Sequence, residues 1–407
     1  MNFTKIALAA AVTLAAAQAQ AVTVYLAGAS ATSANYRTAL AELCTAAGGT
    51  TTQITASPAN TNLFAVKCSV NFSGIAGVNA VSFNVAGGSF TAVTTSIGNA
   101  TDVFLDVADN TGATKTAARK SDGGFLDIDA AAFPASEYAT FGIDAAPATQ
   151  AASFSQVFGV AVSPDLYKAL QTAQGITANV DAIAAASQPT ITKAQYTSIV
   201  NDSFNTAKQD INAILGVGAA GDKLIVCRRV ATSGTQASSN QYFLNSFVGG
   251  DGAAAGAMAP ADQATYGAAS GLTSYEVQEG SGTGNTRACL STVGTATAPV
   301  YALGVLSLEN YPDLTTRTPE QRADRKFRFV KVNGVAAFNS ATKSTDTAKA
   351  GTYDFWFTSQ KFGANDNGTA VVNAIDAKLS TVDLNGLFGN SLSAAKRTSN
   401  TSPVFFE

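Results

Sequence analysis

Lys223-Leu224-Ile225-Val226-Cys227-Arg228-Arg229-Val230-Ala231-Thr232-Ser233-Gly234-Thr235-Gln236-Ala237-Ser238 is the stretch from which this chain is read. Lys223 to Cys227 is a short apolar run of the kind that forms a buried strand. Beyond it, Phe243 and Phe247 share one helical face, so Ser233-Gly234-Thr235 opens a helix. A helix start carries unpaired backbone N–H groups and a partial positive charge. Glycine there admits a ligand close to the backbone and flanking hydroxyls add donors, which is how a chain cradles an oxyanion. Arg229, four residues before Ser233, offers a planar bidentate fork to the same point. The ordinary alternative is that Ser233 and Thr235 only cap the helix.

A second strand–loop–helix unit stands at the start. Val22 to Leu26 alternates as a strand, Ala27 to Ser33 is a small-residue turn, and Tyr36, Leu40 and Leu43 are spaced for one helical face ending near Gly48-Gly49. It lacks the lysine and glycines of a P-loop. Further strands are expected at Leu63 to Val70, Val78 to Val85 and Val103 to Leu105. The last empties into Asp106-Val107-Ala108-Asp109-Asn110, where open α/β sheets place ligands, although an Asx turn is the plain reading. Thr111 to Gln150 reads as polar and Ala-rich. Phe158 to Val162 is a buried strand followed by a helix through Leu166 and Leu170. Ala194 to Phe204 and Val371 to Leu379 read as helices, Gly249 to Gly271 as a loop, and Val300 to Ser307 and Phe327 to Val332 as strands. Strands alternating with helices give an α/β class.

Met1 to Ala21 reads as a secretory signal peptide: one lysine, an apolar run from Ile6 to Ala17, and Ala19-Gln20-Ala21 as cleavage site. The mature chain from Val22 is expected to be exported, periplasmic or secreted, without a membrane span because no later stretch reaches the ~18–20 unbroken apolar residues one needs, and without a nucleic-acid partner because it carries no basic excess (net charge −3). Four cysteines in an oxidising compartment imply two disulfides, with Cys44–Cys68 and Cys227–Cys289 favoured among three pairings because each joins neighbours within one lobe. A zinc site lacks any Cys-x-x-Cys spacing. Zero histidine excludes Ser-His-Asp, Cys-His and His-metal catalysis, while carboxylate-only catalysis, as in glycosidases, remains open in principle.

On three motifs the chain resembles the phosphate-binding proteins of bacterial ABC transporters, in the type 2 periplasmic binding protein superfamily. Arg229-Val230-Ala231-Thr232-Ser233-Gly234-Thr235 is similar to the family's Arg-x-x-x-Ser-Gly-Thr loop. Gly28-Ala29-Ser30-Ala31-Thr32-Ser33 resembles its Gly-Ala-Gly-Ala-Thr-Phe loop, and Phe104-Leu105-Asp106-Val107 its Ala/Val-Ser-Asp segment. The resemblance implies two α/β lobes of mixed sheets with flanking helices, closing on a ligand cleft. The chain is divided accordingly into residues 22–150 as the first part of lobe 1, 151–295 as lobe 2, and 296–407 as a return to lobe 1 and a C-terminal tail. It implies a monomer that binds phosphate or a related oxyanion and delivers it to a permease, with no cofactor and no catalysis. Arg229 would pair with the anion, Ser233, Gly234 and Thr235 would donate to it, and Ala31, Thr32 and Ser33 would face it from the other lobe. Asp106, or its neighbour Asp109, would accept a proton from the ligand. The chain departs from the family at Val85-Ala86-Gly87-Gly88, which stands for Ser-Ser-Gly-Gly, with Ser89 as a substitute hydroxyl. That loss leaves open a second role, as an exported surface, structural or sensory protein of the same fold.

Overall fold

The computed structural model describes residues 22–57, 60–133, 135–144, 150–201, 211–219, 222–244, 275–311, 325–339, 344–384, 386–397, 400 and 404–406. The expected signal peptide, the Gly249 to Gly271 loop and the end of the helix expected to reach Phe204 lie outside these residues. Strand β1 (Val22–Gly28) runs into helix α1 (Ser33–Ala46), which buries Tyr36, Leu40 and Leu43 along one face. Strands β2 (Thr51–Ser57), β3 (Asn60–Cys68), β4 (Val78–Asn84) and β5 (Gly123–Leu126) follow, with β4 and β5 flanking β1 in parallel. Next come β6 (Gln150–Val162) and α2 (Pro164–Ala173). Pro164 suits the first helical position of α2, and the Ser163 hydroxyl accepts from the Leu166 N–H, so this helix start is fixed locally. Helix α3 (Lys193–Val200) opens on a Thr192–Gln195 capping box. Strand β7 (Leu224–Arg229) feeds α4 (Gly234–Ser239), and β8 (Tyr275–Gly280) feeds α5 (Thr283–Leu290). The chain closes through β9 (Tyr301–Ser307), β10 (Trp356–Gly363) and α6 (Asp366–Leu379).

These strands form one mixed sheet in the order β2-β3-β4-β1-β5-β10-β6-β9-β7-β8. The 13-residue β6 belongs to both ends of it: residues up to Val157 pair with β10, and Phe158 to Val162 pair with β9. Each half therefore has a parallel triplet, β4-β1-β5 in the first and β9-β7-β8 in the second. One apolar cluster gathers β1, α1 and α6 through Leu26, Tyr36, Phe83, Val371 and Ile375, and a larger one gathers Val160, Leu166, Val226, Leu303 and Trp356. Among the described residues no helix is long and apolar enough to cross a membrane.

Three expectations are corrected. Residues 296–407 do not all return to the first half: β9 lies between β6 and β7, and the chain crosses back only at β10. Val103 to Leu105 is not a strand; Leu105 makes an isolated bridge to Lys115 and is buried against Ile54, Leu63 and Ala65 as a cover over β2 and β3. The stretch from Thr111 to Gln150 instead contains β5, a sheet strand at the centre of the molecule.

Both disulfides are present, Cys44–Cys68 linking α1 to β3 and Cys227–Cys289 linking β7 to α5. The second closes a separation of 62 residues, so the loop-closure model assigns it about 4 kcal/mol. Replacing Cys227 and Cys289 with Ser is expected to lower the urea midpoint accordingly, and an unchanged midpoint would show that the cross-link constrains nothing.

Candidate functional site

Parallel strands present their carboxyl ends together, and the loops leaving them are where an α/β sheet builds a site. Here the ends of β1, β4, β5, β7 and β8 supply Ser30, Ser89, Asp127, Arg229 and the turn Ser281-Gly282-Thr283. In β7, alternation sends neighbouring arginines apart. Arg228 pairs with Glu279 of the adjacent strand at 3.0 Å, whereas Arg229, 2% exposed, points into the interior. Its Nη1 donates to Thr283 Oγ1 at 2.9 Å and to Ser30 Oγ at 3.5 Å, and its Nη2 donates to the Ser281 carbonyl at 2.9 Å. Its Nε has no partner among the described residues. Burial pulls the guanidinium down to about 10, with the nearby Asp127 opposing that shift.

Asp127 follows directly on β5. Ser89 Oγ donates to its Oδ2 at 2.9 Å, and its buried Oδ1 is unpartnered among the described residues. Burial raises its carboxyl to about 6, while the Ser89 hydroxyl and Arg229 act to lower it. Glu309, in the turn after β9, has a buried, unpartnered Oε2. Burial lifts that carboxyl to about 8 against the pull of Arg325 and Arg287, with Asp127 adding to the rise.

The two halves meet at this point. The Phe90 N–H donates to the Thr232 carbonyl at 3.1 Å, and Thr232 Oγ1 donates to the Gly87 carbonyl at 3.0 Å. A Cβ on Gly234 would stand 2.4 Å from Ser89 Oγ and 2.7 Å from Asp127 Cβ, so only glycine lets α4 approach β5 this closely. Ser233 occupies the N-cap of α4, but its side chain makes no capping hydrogen bond; the plain capping role does not describe it. Ser233 and Thr235 are both buried. Ala31 and Thr32 are buried at the start of α1 and Ser33 is half-buried; Thr32 Oγ1 donates to Tyr36 Oη at 2.5 Å instead of facing Arg229.

Asp106 and Asp109 are not part of this constellation. Asp106 Oδ1 accepts from the Ala108 N–H at 2.9 Å in an Asx turn. Asp109 accepts from Thr111 and Thr114, bonds that hold its carboxyl well below the usual carboxylate range. Their loop leaves the cover over β2 and β3 that Leu105 makes, with Phe104 buried against Tyr25 of β1, so this packing takes both carboxylates elsewhere. The carboxylate beside Ser89 and Arg229 is Asp127. Its signal was a repetition: Phe125-Leu126-Asp127-Ile128 has the same pattern as Phe104-Leu105-Asp106-Val107. Ser281-Gly282-Thr283 likewise repeats Ser233-Gly234-Thr235 on the neighbouring parallel strand.

No protein-family model and no curated protein matches the chain. Among the solved structures to which it is similar are three phosphate-transport binding proteins. One is from Clostridium perfringens, described as a phosphate ABC transporter substrate-binding protein and solved with bound phosphate; it is 12% identical over 87% of this chain and 93% of that one, with a TM-score of 0.43. The second is an ABC-type phosphate transport receptor from Vibrio cholerae, 10% identical over 87% of this chain and 93% of that one, TM-score 0.40. The third is PstS from Borrelia burgdorferi, 12% identical over 90% of this chain and 98% of that one, TM-score 0.37.

Proposed function

We propose that this chain is an exported solute-binding protein that captures a small protonated oxyanion, phosphate in the first instance, between the two halves of its sheet. The observation that carries the reading is a buried cation beside a buried carboxylate, each with an open bonding position among the described residues: Arg229 Nε and Asp127 Oδ1. A fully ionised anion would satisfy the arginine and be repelled by the carboxylate. An anion that retains a proton can accept from the first and donate to the second. The helix start at Ser233-Gly234-Thr235 adds neutral donors, which stabilises an anion without a large net charge, while the Ser89 hydroxyl, whose proton goes to Asp127 Oδ2, holds that carboxylate in place. In this reading lobe closure forms the site, and a membrane permease receives the ligand from the monomer; no catalytic step is assigned.

A second reading, an exported surface, structural or sensory protein of the same architecture, is favoured by one observation. Both terminal nitrogens of Arg229 are already engaged by Thr283 and Ser281. Isothermal titration of the mature protein with phosphate and with sulfate separates the two. Saturable phosphate binding with a weak sulfate response is expected, and silence towards both anions would transfer the chain to the second reading.

A further inference from the structure

The turn Ser281-Gly282-Thr283 has no role in the motif around Arg229, yet it holds both terminal nitrogens of that guanidinium. Register explains the contact: Arg229 pairs with Gly280 across β7 and β8, so its side chain leaves the sheet beside the turn that β8 enters. Thr283 Oγ1 also lies 3.1 Å from Ser30 Oγ, which comes from the loop after β1 in the other half. Because Thr283 Oγ1 accepts from Arg229, its own proton is free to be given to Ser30. Arg229, Thr283 and Ser30 thus form a polarised chain of donors running from one half to the other. All three are buried, at 2%, 8% and 6% exposure, so the chain is shielded from competing water. The adjoining Thr232 contacts to Gly87 and Phe90 are backbone-directed and hold the same seam.

We infer that Thr283 and Ser30 form a hydroxyl latch that closes the two halves on each other without ligand, using Arg229 as its anchor. An oxyanion that takes the terminal nitrogen Nη1 as well as the open Nε then has to displace Thr283 from the guanidinium. That displacement rests on the oxyanion reading; the latch itself does not. Thr283 is therefore a positioning residue, setting where Arg229 points and how readily the halves part.

The test is small-angle X-ray scattering of the mature protein in anion-free buffer, together with phosphate titration. Thr283→Val keeps the shape and removes the hydroxyl, Thr283→Ser keeps the hydroxyl, and Ser30→Ala removes the partner in the other half. The wild type and Thr283→Ser should scatter as compact particles, while Thr283→Val and Ser30→Ala should show a larger radius of gyration with unchanged circular dichroism. Phosphate should bind Thr283→Val roughly tenfold more tightly, because one charge-assisted bond no longer competes for Arg229. Identical scattering of all four proteins, or expansion of Thr283→Ser as well, overturns the latch. Expansion of the two latch variants with no phosphate binding by any protein keeps the latch and removes the oxyanion reading. Phosphate binding to the wild type with no gain in an expanded Thr283→Val protein removes the displacement step. If Thr283→Val does not fold, Ser30→Ala decides from the opposite half.

Discussion

Arg229→Ala should lose phosphate binding almost entirely, by about 100-fold to 10,000-fold in affinity. A hydrogen bond to a charged group contributes ~1.5–3 kcal/mol, and a bidentate arginine makes two, giving ~3–6 kcal/mol against 1.4 kcal/mol per tenfold change. The loss has a second component. Arg229 adds to the Ser89 hydroxyl in pulling the Asp127 carboxyl down against its burial, so removing the cation leaves that group further towards its neutral form. Arg229→Lys separates the two components. It keeps a positive charge beside Asp127 but presents a point charge without the planar fork, so it should recover only part of the affinity. Titration of the three proteins with phosphate gives the order wild type, lysine, alanine. Wild-type curves from both variants would take Arg229 out of the binding compartment.

How much of this was legible follows from how each residue earns its place. Arg229 and Ser233-Gly234-Thr235 could be read because strand, loop and helix are contiguous there, and local pattern is what a sequence displays. Asp127 was hidden by its own strand. Gly123-Gly124 looks like a turn, yet a Cβ on Gly124 would lie 1.8 Å from the Ala27 carbonyl oxygen, so close packing of β5 against β1 demands the residue that conceals the strand. Phe104-Leu105 misled for the opposite reason. Leu105 is buried over β2 and β3 and Phe104 against Tyr25 of β1, and burial without strand pairing leaves the same mark in a sequence. Thr283 and Ser30 lie far apart in the chain and meet only through the register of β7 with β8 and the contact between the two halves. The disulfides were readable as a preference because each joins successive cysteines of the chain within one expected lobe.

Asp127→Asn tests the proton that distinguishes the proposed ligand, and it should act on stability and selectivity in ways that can be told apart. The folded carboxyl titrates at about 6, above its ordinary 3.8, because burial disfavours the charge. Below about pH 4 both folded and unfolded chains hold the proton, and the group contributes nothing. As pH rises from about 4 to 6 the unfolded chain gives up a proton that the folded chain keeps, so stability falls; above that range the penalty is constant, at most about 3 kcal/mol. Asparagine removes the penalty, so the ligand-free variant should gain in urea midpoint over wild type at pH 7 to 8 and not at pH 4. Selectivity should shift separately. At pH 7.5 the ionised carboxylate can only accept, which favours an anion that still carries a proton; the amide can also donate, and tolerates a fully ionised tetrahedral anion. Sulfate affinity should therefore rise relative to phosphate in Asp127→Asn. Asp106→Asn serves as the control, because its carboxylate is spent in an Asx turn. A changed ratio in the control, or an unchanged ratio in Asp127→Asn, would mean that no proton held at Asp127 governs which anion is taken, and the compartment would have to discriminate by shape alone.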